Sequence, residues 1–130
     1  MTRRMLITDD DPCLLSMYRT LFAKQDGLTV DFADNPSACR TLMDSQQYDL
    51  ALFDIDLNDP SEDGFGLLQA LRNRSPGTGV LMMSSMDSGD TIDRCLSLGA
   101  DGFASKNKDF ARVLRAHVRA MLARDAGAAS

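Results

Sequence analysis

Short apolar runs alternate along this chain with longer stretches in which apolar residues recur every three or four positions. The runs lie near Arg4 to Thr8, Leu28 to Ala33, Asp49 to Asp54, Gly79 to Met83 and Gly102 to Ser105, and their length and content predict strands. Each is followed by a stretch of helical period: Pro12 to Lys24, Pro36 to Ser45, Phe65 to Asn73, Ser88 to Leu98 and Asp109 to Arg124. In the last stretch Phe110, Val113, Leu114, Val118, Met121 and Leu122 share one face, while Arg112, Arg115 and Arg119 share another. Pro12 and Pro36 suit first-turn positions, where the missing N–H costs nothing, Gly27 and Gly99 suit helix exits, and Ser75-Pro76-Gly77 reads as a turn. Strand then helix, five times over, predicts an α/β fold: a doubly wound, five-stranded parallel sheet covered on both faces. In such sheets ligands bind beyond the carboxyl ends of the strands, where the winding reverses.

That rule directs attention to the acids. Asp9 and Asp10 close the first predicted strand, Asp54 closes the third, and Lys106 follows the fifth. With those strands parallel and adjacent, the carboxylates collect at one edge of the sheet. Two carboxylates about 4 Å apart repel by roughly 4 kcal/mol at an effective dielectric of about 20, so the cluster must take up protons or a cation. An all-oxygen donor set with no nearby His or Cys suits a hard divalent ion, Mg²⁺ first and Mn²⁺ as the alternative.

Composition narrows the class. At 130 residues and 44% hydrophobic, the chain suits one domain with a single core, expected over residues 1–124. Residues 125–130, Asp-Ala-Gly-Ala-Ala-Ser, suit a flexible tail or the start of a linker. A net charge of −5 argues against nucleic-acid binding through bulk charge and for protein or small-anion partners. No apolar run approaches the length of a membrane span, and Met-Thr-Arg-Arg leads directly into a strand, so a cytoplasmic location is expected. Cys13, Cys39 and Cys95 are odd in number and widely spaced, which suggests reduced, buried or half-buried thiols. The single His117 falls in the last helical stretch, where it reads as structural or surface.

Five segments, in order and spacing, resemble the receiver domain of two-component response regulators. They are Leu6 to Pro12 with Asp9-Asp10-Asp11, Tyr48 to Leu57 around Asp54, Asp63-Gly64-Phe65-Gly66-Leu67-Leu68, Val80 to Ser85, and Leu98 to Lys106. The resemblance implies a flavodoxin-like (βα)5 fold with strand order 2-1-3-4-5. It also implies that Asp54 is a phosphoacceptor taking a phosphoryl group from a sensor histidine kinase or a histidine phosphotransfer protein. Mg²⁺ is then expected on Asp10, Asp54 and the backbone carbonyl of Asp56, and through water on Asp9. Lys106 is expected to pair with phosphoryl oxygens, Ser84 to be the switch hydroxyl and Phe103 the switch aromatic. The altered surface would be helix 4, strand 5 and helix 5, acting on an unknown downstream protein or output domain or through a phosphorylation-dependent homodimer. Such a domain is no conventional enzyme, since it catalyses only its own phosphorylation and dephosphorylation. Taken singly, each residue has a plainer reading: Asp10 or Asp11 as a helix cap, Ser84 as a strand-end hydroxyl, Phe103 as core, Lys106 as solvated.

The sequence departs from the family pattern at three places. Asn58 stands where the family usually has a proline and Asp63-Gly64 comes two residues late, so the loop Asn58 to Asp63 is longer. Asn107 follows Lys106 where a cis-proline is common. A non-proline cis bond costs about 2.5–4 kcal/mol, so this one is expected to be trans. Asp56 adds a carboxylate two residues past Asp54, expected at the pocket rim, where it could activate water against the aspartyl phosphate. The run Leu50 to Asp56 is also similar to the nucleophile motif of haloacid-dehalogenase-type phosphatases, but those need an acidic motif after the lysine, and here only Asp109 and Asp125 follow. A receiver that binds partners without being phosphorylated is a third reading.

Overall fold

The protein is described by a computed structural model covering residues 2–129. Five strands and five helices alternate: β1 (Arg3–Thr8), α1 (Pro12–Phe22), β2 (Leu28–Ala33), α2 (Pro36–Ser45), β3 (Leu50–Asp54), α3 (Gly64–Arg74), β4 (Gly79–Ser84), α4 (Gly89–Ser97), β5 (Gly102–Ser105) and α5 (Phe110–Ala129). All strand pairs are parallel, in the order β2-β1-β3-β4-β5. This is the doubly wound parallel sheet expected from the residue pattern, in the flavodoxin-like strand order that the resemblance implied.

Period-two alternation sorts the strand residues into two apolar layers. Leu6, Ala51, Phe53, Val80 and Met82 pack toward α2, α3 and α4, against Cys39, Met43, Phe65, Leu68 and Cys95. Met5, Ile7, Leu50, Leu52, Leu81 and Met83 pack toward α1 and α5, against Leu15, Tyr18, Phe22, Phe110, Leu114 and Val118. Strands β3 and β4 are buried along their whole length, which is why they read as continuous apolar runs.

Helix starts follow the punctuation. The Asp11 carboxylate caps α1 by accepting from the Cys13 and Leu14 N–H groups, with Pro12 in the first turn, and Asn35 caps α2 in the same way ahead of Pro36. Gly27 and Gly99 have φ of 71° and 103°, a region open mainly to glycine.

Two expectations need adjustment. Helix α5 continues through Ala129, past Arg124 where the apolar stripe ends. Alanine has the highest helix propensity, and the run that holds Ala126, Ala128 and Ala129 suits a continued helix; Ser130 lies outside the described residues. Cys13 is exposed rather than half-buried, because it sits in the outward-facing first turn of α1, whereas Cys39 and Cys95 are buried free thiols.

Candidate functional site

Strand parity decides which side chains meet at the carboxyl edge of the sheet. Asp9 continues β1 through a hydrogen bond from its N–H to the Ala33 carbonyl, and it falls on the same face as Met5 and Ile7. Asp54 shares the face of Leu50 and Leu52, and Lys106 that of Ala104. All three therefore project on the α1/α5 side. Ser84 and Phe103 fall on the other face, where Phe103 is half-buried against the α2/α3/α4 layer and pairs in register with Met82.

The ammonium of Lys106 bridges the two buried carboxylates, with Nζ 2.9 Å from Asp9 Oδ2 and 2.9 Å from Asp54 Oδ2. Asp9 is fully buried, and its remaining charge is met by the Tyr18 hydroxyl at 2.6 Å and the Asp11 N–H at 3.0 Å. The backbone N–H of Asp56 donates to Asp54 Oδ1 at 3.1 Å. Asp10 is half-buried and accepts from Asn58 Nδ2 at 2.7 Å. Carboxylate oxygens of Asp9, Asp10 and Asp54 lie within 4.8 Å of one another, a hard-oxygen set that suits a divalent cation.

The electrostatics follow from two buried carboxylates sharing one lysine, with a third carboxylate beside them. Burial, then the charge of Asp9, push the Asp54 carboxyl up to about 7, although Lys106 and the Asp56 N–H pull the other way. For Lys106, burial favours the neutral amine, but hydrogen bonds to Asp9 and Asp54 outweigh it and hold the ammonium above its ordinary range. Burial and the Asp9 hydrogen bond keep the Tyr18 hydroxyl protonated, so it remains a donor.

The longer β3–α3 loop is tied at both ends. Asn58, with φ of 49°, reaches Asp10, and Glu62 accepts from two of the guanidinium nitrogens of Arg40 on α2, Nε and Nη2. Gly64 opens α3 directly beneath the site, and its N–H donates to the Ile55 carbonyl. A Cβ at Gly64 would stand 2.8 Å from Ile55 Cα and closer still to the Asp54 carbonyl oxygen, so no other residue fits there. Above lies an open cleft of about 540 Å³ lined by Asp10, Asp54, Asp56, Ser85, Lys106 and Asn107 among others. No peptide bond among the described residues is cis, the Lys106–Asn107 bond included.

The structure thus brings together Asp9, Asp10, Asp54 and Lys106, with Asp56 hydrogen-bonded to both Asp54 and Ser84, and with Phe103 on the same sheet face as Ser84, one strand over. Sequence reasoning missed Tyr18 and Asn58. A phenol within the buried stripe Leu15, Tyr18, Phe22 was the available signal, because a buried hydroxyl needs a partner. It also missed that the Ser84 hydroxyl is directed at Asp56 Oδ2, 3.0 Å away, rather than at Asp54.

The family model for the response regulator receiver domain matches residues 5–119, and the chain belongs to that family. That match takes in the run from Leu50 to Asp56, which also resembled a phosphatase motif. The chain is 34% identical over 108 residues to the TorCAD operon transcriptional regulatory protein TorR of Escherichia coli, covering 82% of this chain and 44% of that protein. It is 33% identical over 122 residues to the transcriptional activator protein IrlR of Burkholderia pseudomallei, covering 93% and 51%. The chain therefore spans about half the length of the curated relatives it matches. Among solved structures, a two-component response regulator from Clostridium difficile superposes with a TM-score of 0.83 at 26% identity, covering 95% of this chain and 98% of that one. Receiver domains bind Mg²⁺ at a cluster of aspartates, and Asp9, Asp10 and Asp54 form such a group here. Among the described residues no helix is long and apolar enough to cross a membrane.

Proposed function

We propose that the chain accepts a phosphoryl group on Asp54 from a sensor histidine kinase or histidine phosphotransfer protein, and that this changes the α4/β5/α5 surface presented to a partner or output domain. The observation that carries the reading is Lys106 Nζ held at 2.9 Å from both Asp9 and Asp54, beside a third carboxylate on Asp10. A structural ion pair needs one carboxylate per lysine. The excess acid here fits a site that awaits a cation and a phosphoryl group.

In the transfer, the N–P bond of the donor phosphohistidine breaks as an Asp54 Oδ–P bond forms, and the freed imidazole takes up a proton. Asp10, Asp54 and the Asp56 carbonyl, with Asp9 behind them, would hold Mg²⁺ or Mn²⁺. When bound, the ion offsets negative charge on the carboxylate and on the phosphoryl oxygens. Lys106 exchanges Asp54 Oδ2 for a phosphoryl oxygen while remaining anchored on Asp9. A carboxyl raised to about 7 by burial is a more basic, more nucleophilic oxygen once ionised. Ser84 then turns its hydroxyl to the phosphoryl group and Phe103 follows inward. Asp56, exposed at the rim of the cleft, takes a proton from a water that attacks phosphorus, and the Asp54 O–P bond breaks to release phosphate. A positioned base of this kind typically contributes about 10²-fold, so a short-lived adduct is expected, and Asp56→Asn should slow its loss several-fold.

With a net charge of −5, this receiver portion leaves any nucleic-acid contact to another domain or a partner. The body over residues 1–124 is read as the receiver, with the segment from 125 leading out of it. A homodimer formed on phosphorylation through the switched surface is one means of output. Incubation with acetyl phosphate and Mg²⁺ tests the core of the reading by mass spectrometry. One acid-stable, base-labile phosphoryl group is expected on the wild type and none on Asp54→Asn; an adduct that persists in the variant overturns the assignment.

A further inference from the structure

A serine hydroxyl has one hydrogen to give. The Ser84 hydroxyl gives it to Asp56 Oδ2 at 3.0 Å, and Ser84 Oγ in turn accepts from the Met86 N–H at 2.9 Å. The Asp56 backbone N–H donates to Asp54 Oδ1 at 3.1 Å. One chain of hydrogen bonds therefore runs from the acceptor carboxylate, through the backbone and side chain of Asp56, to Ser84 and into the β4–α4 connection. That connection carries Met86, which is 63% exposed, and Asp87, whose carboxylate accepts from Ser105 Oγ at 2.8 Å. Ser84 is fully buried, whereas Asp56 is exposed. A carboxylate free to stay solvated thus turns inward to hold a buried hydroxyl.

We infer that Asp56 is a latch on Ser84: it holds the hydroxyl, and with it the β4–α4 connection, in the unphosphorylated arrangement. A phosphoryl group on Asp54 must win the single Ser84 hydrogen from Asp56 before the connection can move. The inference rests on the reading of Asp54 as the acceptor and Ser84 as the hydroxyl that turns to it. The latch is a positioning role, separate from proton transfer to water. It sets how far the switched state is populated before phosphorylation, because a ligand shifts a two-state element only by its differential interaction with the two states.

Removing Asp56 would also relieve simple repulsion of an incoming anion, so the test must separate the two effects. Affinity for beryllofluoride, used as the phosphoryl probe, is measured at fixed Mg²⁺ for the wild type, Asp56→Ala, Ser84→Ala and the double variant. The latch predicts that Asp56→Ala tightens binding more when Ser84 is present than when it is absent, with a coupling of about five-fold or more. Without beryllofluoride, the backbone amide signals of Met86 and Asp87 in Asp56→Ala should lie displaced toward their beryllofluoride-bound positions. Asp56→Asn, whose amide oxygen can still accept, should fall between wild type and Asp56→Ala. Equal tightening in both backgrounds, or probe-free spectra that coincide with wild type from Ser84 to Ile92, would overturn the latch. Failure of the wild type to gain a phosphoryl group from acetyl phosphate would overturn the acceptor reading and the latch with it, whereas a phosphorylated wild type without coupling overturns the latch alone.

Discussion

The two edges of the sheet handle charge in opposite ways. At the amino edge, Arg72 of α3 donates to the carbonyls of Gly99 at 2.7 Å, Thr78 at 2.5 Å and Pro76 at 3.3 Å, and pairs with Asp101 at 2.9 Å. Asp101 in turn accepts from the Val80 N–H, and the Thr78 hydroxyl donates to the Tyr48 carbonyl. One cation meets one carboxylate, and the remaining donors close loop carbonyls. At the carboxyl edge a single lysine serves two buried carboxylates while a third stands beside them, and burial drives Asp54 up to about 7. Balanced charge fastens loops together. Unbalanced charge must be offset by a proton or a cation, which suits the carboxyl edge to the phosphoryl chemistry proposed for it.

The contrast can be broken most forcefully at the amino edge. Arg72→Ala removes four hydrogen-bonding contacts and leaves the Gly99 and Thr78 carbonyls and Asp101 with fewer partners. A loss of about 3 kcal/mol in denaturant unfolding is expected, with acetyl phosphate labelling of the folded fraction unchanged. Labelling that falls in proportion to Arg72 loss beyond the unfolded fraction would mean that the two edges are not independent.

Asp54→Asn should act in the other direction. The Asp54 carboxyl ionises at about 7 in the folded chain against an ordinary value of 3.8, so between those values the native state holds a proton that the unfolded chain has already released. The contribution of Asp54 to wild-type stability therefore falls as pH rises from about 4 to about 7, then levels. The amide lacks this slope but loses the ion pair to Lys106, which returns part of the gain. A net stabilisation on the order of 2 kcal/mol is expected at pH 8 and little at pH 4, measured by urea unfolding in a chelator. A pH-independent difference would remove charge crowding as the cause.

Much of this was legible beforehand, for identifiable reasons. The strand runs were readable because β3 and β4 are buried on both faces, and the acids were readable because each follows its own strand. A cap ahead of Pro12 was readable as Asp10 or Asp11, and the structure gives it to Asp11. The directions of side chains in loops were not readable. Nothing in local spacing turns Asp56 toward Ser84 or Asn58 toward Asp10, since both depend on the path of the loop that follows β3. Helix α5 runs past Arg124 because the alanines that follow have high helix propensity, which an apolar period does not register.

Tyr18→Phe sharpens the contrast at a smaller scale. The ring keeps its edge-on packing against Phe110, with centroids 6.2 Å apart, while Asp9 loses its 2.6 Å donor. The Lys106 and Asp11 donors remain on that carboxylate, so the cost should be about 1–2 kcal/mol. Circular dichroism melts at matched pH would check it, and a loss as large as that of Arg72→Ala would show that the carboxyl edge is fastened as tightly as the other.

The smallest expected effect, at Asn58, asks whether a hydrogen bond at the carboxyl edge serves the fold or stands in for the ion. Its amide donates to Asp10 Oδ2 at 2.7 Å from an exposed loop position with φ of 49°. Glycine is the appropriate replacement, because it keeps that backbone region open where alanine would add strain. The bond is solvent-exposed, so Asn58→Gly should change unfolding free energy by no more than about 0.5 kcal/mol. The same donor draws on oxygen lone pairs that a cation would use, so freeing Asp10 should tighten Mg²⁺ binding by about two-fold, the equivalent of roughly 0.5 kcal/mol. Titration of Mg²⁺ against tyrosine fluorescence, with Tyr18 on Asp9 as the reporter, distinguishes the cases. Tighter binding at unchanged stability means that Asn58 occupies the place of the ion, whereas weaker binding means that it holds Asp10 in position for it, and the carboxyl edge would then be organised by its loop as the amino edge is by Arg72.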